Sequence, residues 1–323
     1  MRLITLDDII ETYTKFRQRG LPFIMSKLNL NAIKRTKSAF NELDISSANW
    51  WIIPKVQKRW NLLITGDPNL EYEDFVMQNY LSDHKDLKML SLGSGICSHE
   101  LTFAGYDNFK EILCLDINEV LFDQARKIAN EKGLKSIHFQ IQDLYRYEFP
   151  ENYFDIVLFH ASLHHFKDIE NLVGKKIKKT LKSDGKLIIN EFVGADRLQF
   201  PKHQITATNT ALQSIPKSYR KRFKLNIYKN KFYGSGMIRM ILADPSECVD
   251  SSQIMPSIHK HYKTIYEASY GGNLLPNVLK DIAHHFVTLN KEKEDILDQL
   301  FEYEDTYIKN HSSDFVFGIY QNT

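Results

Sequence analysis

Met89-Leu90-Ser91-Leu92-Gly93-Ser94-Gly95-Ile96-Cys97 is followed about twenty residues later by Ile112-Leu113-Cys114-Leu115-Asp116. In the first stretch an apolar run breaks into Gly-x-Gly; in the second an apolar run ends in a carboxylate. Glycines let the backbone approach a ligand closely, and an acid at the end of the next strand can pair with ribose hydroxyls. The two stretches together predict an α/β sheet holding an adenosine-containing cofactor.

Around this pair the chain alternates strand, turn and helix, starting at Lys88. Strands are expected at Met89–Leu92, Glu111–Leu115, Ser136–Ile141, Phe154–Phe159 and Lys186–Val193. The fourth is nearly all apolar, as in a sheet covered on both faces. Helices are expected from Ser98 to about Gly105, from an Asn118 cap to Asn130, and at Ile169–Leu181, with Ser183-Asp184-Gly185 as a turn. Such alternation predicts a doubly wound, mostly parallel sheet.

The flanks read differently. Before Tyr80 the spacing of Ile9, Ile10, Tyr13 and Phe16 predicts one helix, and Ala32-Ile33 with Phe40 and Leu43 a second. A further helix runs from Pro54 to Ile64 and closes at Thr65-Gly66-Asp67-Pro68, and Tyr72–Leu81 leads into the core. After Gly194 the alternation stops, and Asp196–Gln253 reads as an insertion. A helix at Ser252–His261 and a strand at Lys263–Tyr270 follow. Helices at Leu274–Leu289 and Glu292–Lys309 and a last strand at Phe315–Tyr320 complete the chain. The expected division is an N-terminal helical cap (1–82), a cofactor-binding core (83–195), a substrate-cap insertion (196–257), and C-terminal core strands with a helical insertion (258–323). The three helical parts are expected to close over the carboxyl edge of the sheet.

Bulk composition narrows the function class. The 323 residues are 43% hydrophobic and 25% charged with a net charge of +2, ordinary for a soluble globular protein and without a global field for nucleic acid or membrane. Three widely spaced cysteines form neither a disulfide framework nor a metal-binding CxxC. No apolar run approaches the roughly 18–20 residues that span a bilayer, and Met1-Arg2-Leu3 leads into Asp7-Asp8 rather than a signal pattern. A cytoplasmic location is expected. His284-His285 and His259/His261 lack companion acids at ligand spacing, so no metal site is expected.

A nicotinamide or flavin cofactor is the first candidate for the glycine loop. Three features oppose it: Asp143-Leu144 after the third strand, the loop His160-Ala161-Ser162-Leu163-His164-His165-Phe166 after the fourth, and the chain's ending in two strands separated by helices.

Those same features, with Tyr153-Phe154-Asp155-Ile156-Val157 and Leu181-Lys182-Ser183-Asp184-Gly185-Lys186-Leu187, resemble a class I S-adenosylmethionine-dependent methyltransferase. The resemblance runs from about Lys88 to Asn322. It implies a seven-stranded sheet with an antiparallel last strand. It also implies that Gly93, Ser94 and Gly95 pass under the methionyl part of S-adenosyl-L-methionine, that Asp116 with Ile117 meets the ribose, and that Asp143 with Leu144 faces the adenine. One departure stands out. The family often has an acid where this chain has Ser91, so the methionyl amine needs another partner. Flanking stretches such as Arg59-Trp60-Asn61, Glu191-Phe192-Val193-Gly194 and Tyr270-Gly271-Gly272-Asn273 resemble a bacterial subgroup tied to cell-surface glycan or secondary-metabolite genes.

Methyl transfer needs alignment, exclusion of water and, for a hydroxyl or amine acceptor, removal of a proton. His160, which also borders the cofactor, and His164 stand just beyond the fourth strand and are candidate bases, although the Leu163-His164-His165 turn can equally just shape the loop. Glu191 can act as a base, bind a substrate hydroxyl, or anchor the N-terminal cap. Arg59 can pair with the methionyl carboxylate or be a surface charge. An oxygen acceptor on a small molecule or carrier-linked metabolite is favoured over nitrogen. The run Lys217-Ser218-Tyr219-Arg220-Lys221-Arg222-Phe223-Lys224, continuing to Lys229 and Lys231, has no acid. It reads as a solvated helix face or a docking site for a substrate phosphate or carboxylate. An RNA or protein methyltransferase docking through 217–231 is the alternative, and a non-catalytic cofactor-binding subunit a second one.

Overall fold

Seven strands share one sheet in the computed structural model, which describes residues 1–14 and 49–323. They are β1 (Leu87–Leu92), β2 (Phe109–Asp116), β3 (Ile137–Ile141), β4 (Phe154–His160), β5 (Leu181–Phe192), β6 (Tyr262–Gly271) and β7 (Phe315–Asn322). Their spatial order is β3-β2-β1-β4-β5-β7-β6. The strands β3, β2, β1, β4 and β5 pair in parallel, and antiparallel pairing enters with the last strands. From β1 the chain winds outward through β2 and β3, then returns to the other side of β1 for β4 and β5. That reversal makes a switch point at the carboxyl ends of β1 and β4, where open α/β sheets bind ligands.

The central strands are apolar because both of their faces are covered. Leu90 and Leu92 of β1, Val157 and Phe159 of β4, and Leu187 and Ile189 of β5 are almost wholly buried. They pack with Val173 and Ile177 from the helical stretch 169–180, and with Ile254 and Ile258 from the helix Ile254–His261. Each such side chain contributes about 1.5–3 kcal/mol through burial. On the β2 side, the helix Glu119–Glu131 buries Leu121, Phe122, Ala125 and Ala129 on one face. Its Asn118 cap accepts the Val120 N–H at 3.2 Å.

The chain divides into two compact units. One comprises Leu70–Val193, Cys248–Ala268 and Val316–Thr323 and carries most of the sheet. The other comprises Met1–Asn69, Gly194–Glu247 and Ser269–Phe315 and has its own core. There Trp50, Ile53 and Val56 pack with Leu212 of the helix Lys202–Ser214 and with Leu297 and Leu300 of the helix Lys291–Ile308. Stretches that the sequence separates into cap, insertion and C-terminal helices therefore share one hydrophobic cluster. The helix at the chain start covers residues 6–14; Phe16 and the second expected helix, around Ala32-Ile33, Phe40 and Leu43, lie outside the described residues.

Two expected elements differ. The single helix expected at Leu274–Leu289 is broken into Leu275–Leu279 and one turn at Ala283–Phe286. Lys280 is non-helical and Asp281 takes φ +70°. The break frees carbonyls for use elsewhere: those of Asn277 and Lys280 accept Lys229 Nζ at 2.6 and 2.7 Å, and that of Asp281 accepts the Phe223 N–H at 2.8 Å. Likewise the turn expected at Ser183–Gly185 lies inside β5, as an irregularity where pairing jumps from Phe154↔Leu181 to Ile156↔Lys186.

Candidate active site

β1 ends at Leu92, and the loop after it turns sharply because Gly93 (φ +72°) and Gly95 (φ +54°) adopt left-handed backbone. Each glycine has its own reason. A Cβ at Gly93 would lie 2.9 Å from the Ser162 Cβ, so the loop after β1 presses against the loop after β4. A Cβ at Gly95 would meet nothing within 4 Å, leaving that backbone open on its outer face. Asp116, at the end of β2, pins the loop: one carboxylate oxygen accepts the Gly95 N–H at 2.9 Å and the other the Asn118 N–H at 2.8 Å. Burial pushes the Asp116 carboxyl up, against the pull of the backbone N–H groups of Gly95, Asn118 and Ile117.

Ser91 is buried and donates its hydroxyl to Glu100 Oε1 at 2.5 Å, while Ser94 Oγ donates to Ser91 Oγ at 3.0 Å. Glu100 sits in the helix Ser98–Phe103, is 1% exposed, and its Oε2 finds no hydrogen-bonding partner among the described residues. A buried carboxylate nine residues later in the chain therefore stands against the Ser91 hydroxyl. Burial pushes the Glu100 carboxyl up, partly offset by His99.

At the end of β4, His160 is partly exposed, and its Nδ1 lies 3.1 Å from Tyr72 Oη. The His160 ring stacks on His99, which in turn meets the buried Glu73 carboxylate. The sequence reading missed Tyr72, Glu73, His99 and Glu100. The available signal was weak: two of them follow the glycine loop directly, and two open the segment leading into β1.

Ala161 takes φ +47° as the chain leaves β4. The turn beyond it is held by Glu191, at the end of β5. Glu191 Oε1 accepts the Ser162 and Leu163 N–H groups at 2.5 Å each, and Oε2 meets His164 Nδ1 at 2.8 Å. Glu191 is fully buried and His164 nearly so. The two expected residues are brought together, and their bonds secure the loop. At the end of β3, Asp143 Oδ1 accepts the Tyr145 N–H at 3.0 Å, and the neighbouring Leu144 is buried in the core.

In the helical unit, Arg59 pairs with Asp305 at 2.5 Å and lies 4.7 Å from the centre of the Phe301 ring. In the basic run, Arg222 is buried against Asp281 and lies 3.6 Å from Asp7. Lys229 is buried on the two carbonyls named above, and burial lowers its pKa to about 7. Tyr219 donates to Glu292 at 2.7 Å and Arg220 to Gln213 at 2.8 Å. The innermost charges of the run are spent on the fold. Outside it, His259 pairs with Glu267 and His261 with Glu170, and His285 meets the Lys221 carbonyl.

The donor set fits an adenosyl sulfonium cofactor. An open glycine backbone, a strand-end carboxylate at Asp116 and a buried carboxylate at Glu100 match the hydroxyls and positive charges such a group carries.

A family model described as a methyltransferase domain matches residues 83–267, more than half of the 323 residues. The Bacillus subtilis (strain 168) protein YcgJ, described as an uncharacterized methyltransferase, is 28% identical over 128 residues, covering 36% of this chain and 49% of YcgJ. The chain therefore matches about half the length of that relative. The crystal structure of YcgJ aligns with a TM-score of 0.41 at 16% identity, covering 77% of this chain and 96% of that one. The Haemonchus contortus phosphoethanolamine N-methyltransferase 2 in complex with S-adenosyl-L-methionine aligns with a TM-score of 0.48 at 14% identity, covering 82% and 56%. No helix among the described residues is long and apolar enough to cross a membrane.

Proposed function

The chain belongs to the methyltransferase-domain family, and from that premise we propose that it moves a methyl group from S-adenosylmethionine to a hydroxyl or amine of a small molecule or carrier-linked metabolite. The observation that carries this reading is the Gly95 backbone, pinned to Asp116 on one side and open on the other. Asp116 holds the ribose hydroxyls with the lone pairs its backbone contacts leave, and Asp143 with Leu144 borders the adenine. When bound, S-adenosylmethionine supplies a methyl group on a positively charged sulfur, already activated toward a nucleophile. The protein's part is to align the acceptor, keep water out and take the acceptor's proton. His160 takes the proton: it is partly exposed at the end of β4, whereas Glu191 and His164 are buried and bonded to each other and to the loop.

A small acceptor is favoured over RNA because Arg222 and Lys229, at the heart of the basic run, are buried and paired. Incubation with S-adenosylmethionine labelled in its methyl group tests the acceptor class. Label in small hydroxylated or aminated compounds, at a rate insensitive to salt, is the expected result. Label in RNA or protein, lost steeply as salt rises, contradicts it.

A further inference from the structure

His99 and His160 come from different elements, the first turn after the glycine loop and the end of β4, yet their rings stack with centroids 3.5 Å apart and planes 27° apart. Beyond His99 lies Glu73, whose buried carboxylate meets Nδ1. Tyr72 flanks both imidazoles, its ring centre 5.4 Å from that of His99 and 5.6 Å from that of His160, and its hydroxyl lies 3.1 Å from His160 Nδ1. Glu73 thus contacts the His99 side of the imidazole pair, and the Tyr72 hydroxyl contacts the His160 side.

Two stacked imidazoliums repel each other, whereas one imidazolium over a neutral ring is attracted to its π face. The pair therefore takes a first proton readily and a second reluctantly. Surroundings decide which ring holds the first. The acids facing His99 are Glu73, Glu100 and Glu71, the Tyr72 ring lies against both imidazoles, and the groups facing His160 are His99 and the Tyr72 hydroxyl. Burial works against charge on His99, but Glu73 outweighs it and the net direction is up. His160 is pushed well down, by burial first and then by the charge on His99.

We propose that His99, kept charged by Glu73, is a positioning residue that holds His160 neutral, with Nε2 as the atom that takes the proton of the methyl acceptor. This rests on the methyl-transfer reading above. In the tautomer in which Nδ1–H donates to Tyr72 Oη, the lone pair is on Nε2. The proton of the acceptor's hydroxyl or amine passes to Nε2, and the acceptor's electron pair forms the new bond to the methyl carbon. The sulfur–methyl bond breaks with its electrons left on sulfur. His160, now doubly protonated beside a second cation, returns the proton to solvent, which resets the site. A neutral His160 also avoids repelling the positive charge of the methyl donor, while Glu73 balances that of His99.

Imidazole resonances of the full-length, ligand-free protein, assigned by substitution and followed against pH, test this directly. The expected result is a charged His99 and a neutral His160 at pH 7. His99→Phe keeps an aromatic face without the charge and raises the His160 midpoint by about one pH unit or more. His99→Gln, which guards against a packing failure of the first variant, moves it in the same direction, and Glu73→Gln lowers the His99 midpoint. A His160 midpoint unmoved in both His99 variants, or a protonated His160 at pH 7 in the wild type, overturns the proposal. Calorimetry with S-adenosylmethionine separates the two readings. Absent binding to the wild type sinks the methyl-transfer reading, whereas normal binding with an unmoved midpoint sinks only the role of His99.

Discussion

Ser91 donates its hydroxyl to Glu100 Oε1 at 2.5 Å, and the second oxygen of that buried carboxylate has no partner among the described residues. Burial raises the Glu100 pKa in the folded state. A carboxyl with a raised folded-state pKa contributes stability that is fully present below its unfolded value, about 4.3, and lost as pH rises through the folded value. Glu100→Gln removes that dependence. Thermal unfolding from pH 4 to 8 is expected to show the variant gaining on the wild type as pH rises. A difference that stays constant with pH contradicts this.

Gly93→Ala places a Cβ at φ +72° and 2.9 Å from the Ser162 Cβ, an atom fixed to the backbone. Left-handed backbone costs a residue with a Cβ about 1–2 kcal/mol, and overpacking adds about 1 kcal/mol or more. Urea unfolding is expected to give a loss of about 2–3 kcal/mol. Gly95→Ala, with the same backbone sign but open space, is expected to lose only the conformational part while obstructing the cofactor. Equal losses for both variants contradict the close approach of the two loops.

Glu191→Gln weakens three hydrogen bonds that hold the turn at 162–164. Bonds to a charged group are worth about 1.5–3 kcal/mol each, and Gln retains part of that set. A destabilisation of about 2–3 kcal/mol is expected in equilibrium unfolding. Unchanged stability with lost turnover would instead make Glu191 a participant in the chemistry.

Arg222→Ala leaves Asp281 and Asp7 without the guanidinium between them. Arg222 is buried but Asp281 is 33% exposed, so losing charge-assisted bonds costs about 1.5–3 kcal/mol, and chemical unfolding is expected to show a loss of that size. Retention of a short RNA on a filter is expected to be as weak for the variant as for the wild type. Strong wild-type retention lost in Arg222→Ala would restore the nucleic-acid reading of the basic run.

Local signals explain what could be read from the chain. The strands β1 to β4 were legible because apolar runs broke at Gly93, Asp116, Gln142 and His160, and Asn118 announced a helix that it does cap. The break at Lys280–Asp281 was not, because it serves Lys229, Phe223 and Arg222, residues fifty or more positions away. In the site, Asp116 and the glycines were legible by spacing. Glu73 and His99 meet across 26 positions and His160 meets Tyr72 across 88, distances over which no periodicity runs. The shared cluster of Trp50, Leu212 and Leu297 likewise joins segments too far apart for any local pattern to link them.

If the Gly93–Gly95 loop and Asp116 hold S-adenosylmethionine, removing the Asp116 carboxylate must weaken its binding. Calorimetric titration of the wild type and of Asp116→Ala with S-adenosylmethionine and its demethylated product tests it most directly. Loss of charge-assisted hydrogen bonds worth about 1.5–3 kcal/mol predicts that both ligands bind the wild type and bind Asp116→Ala about 10- to 100-fold more weakly. No binding to the wild type, or equal affinity for the folded variant, would contradict the account.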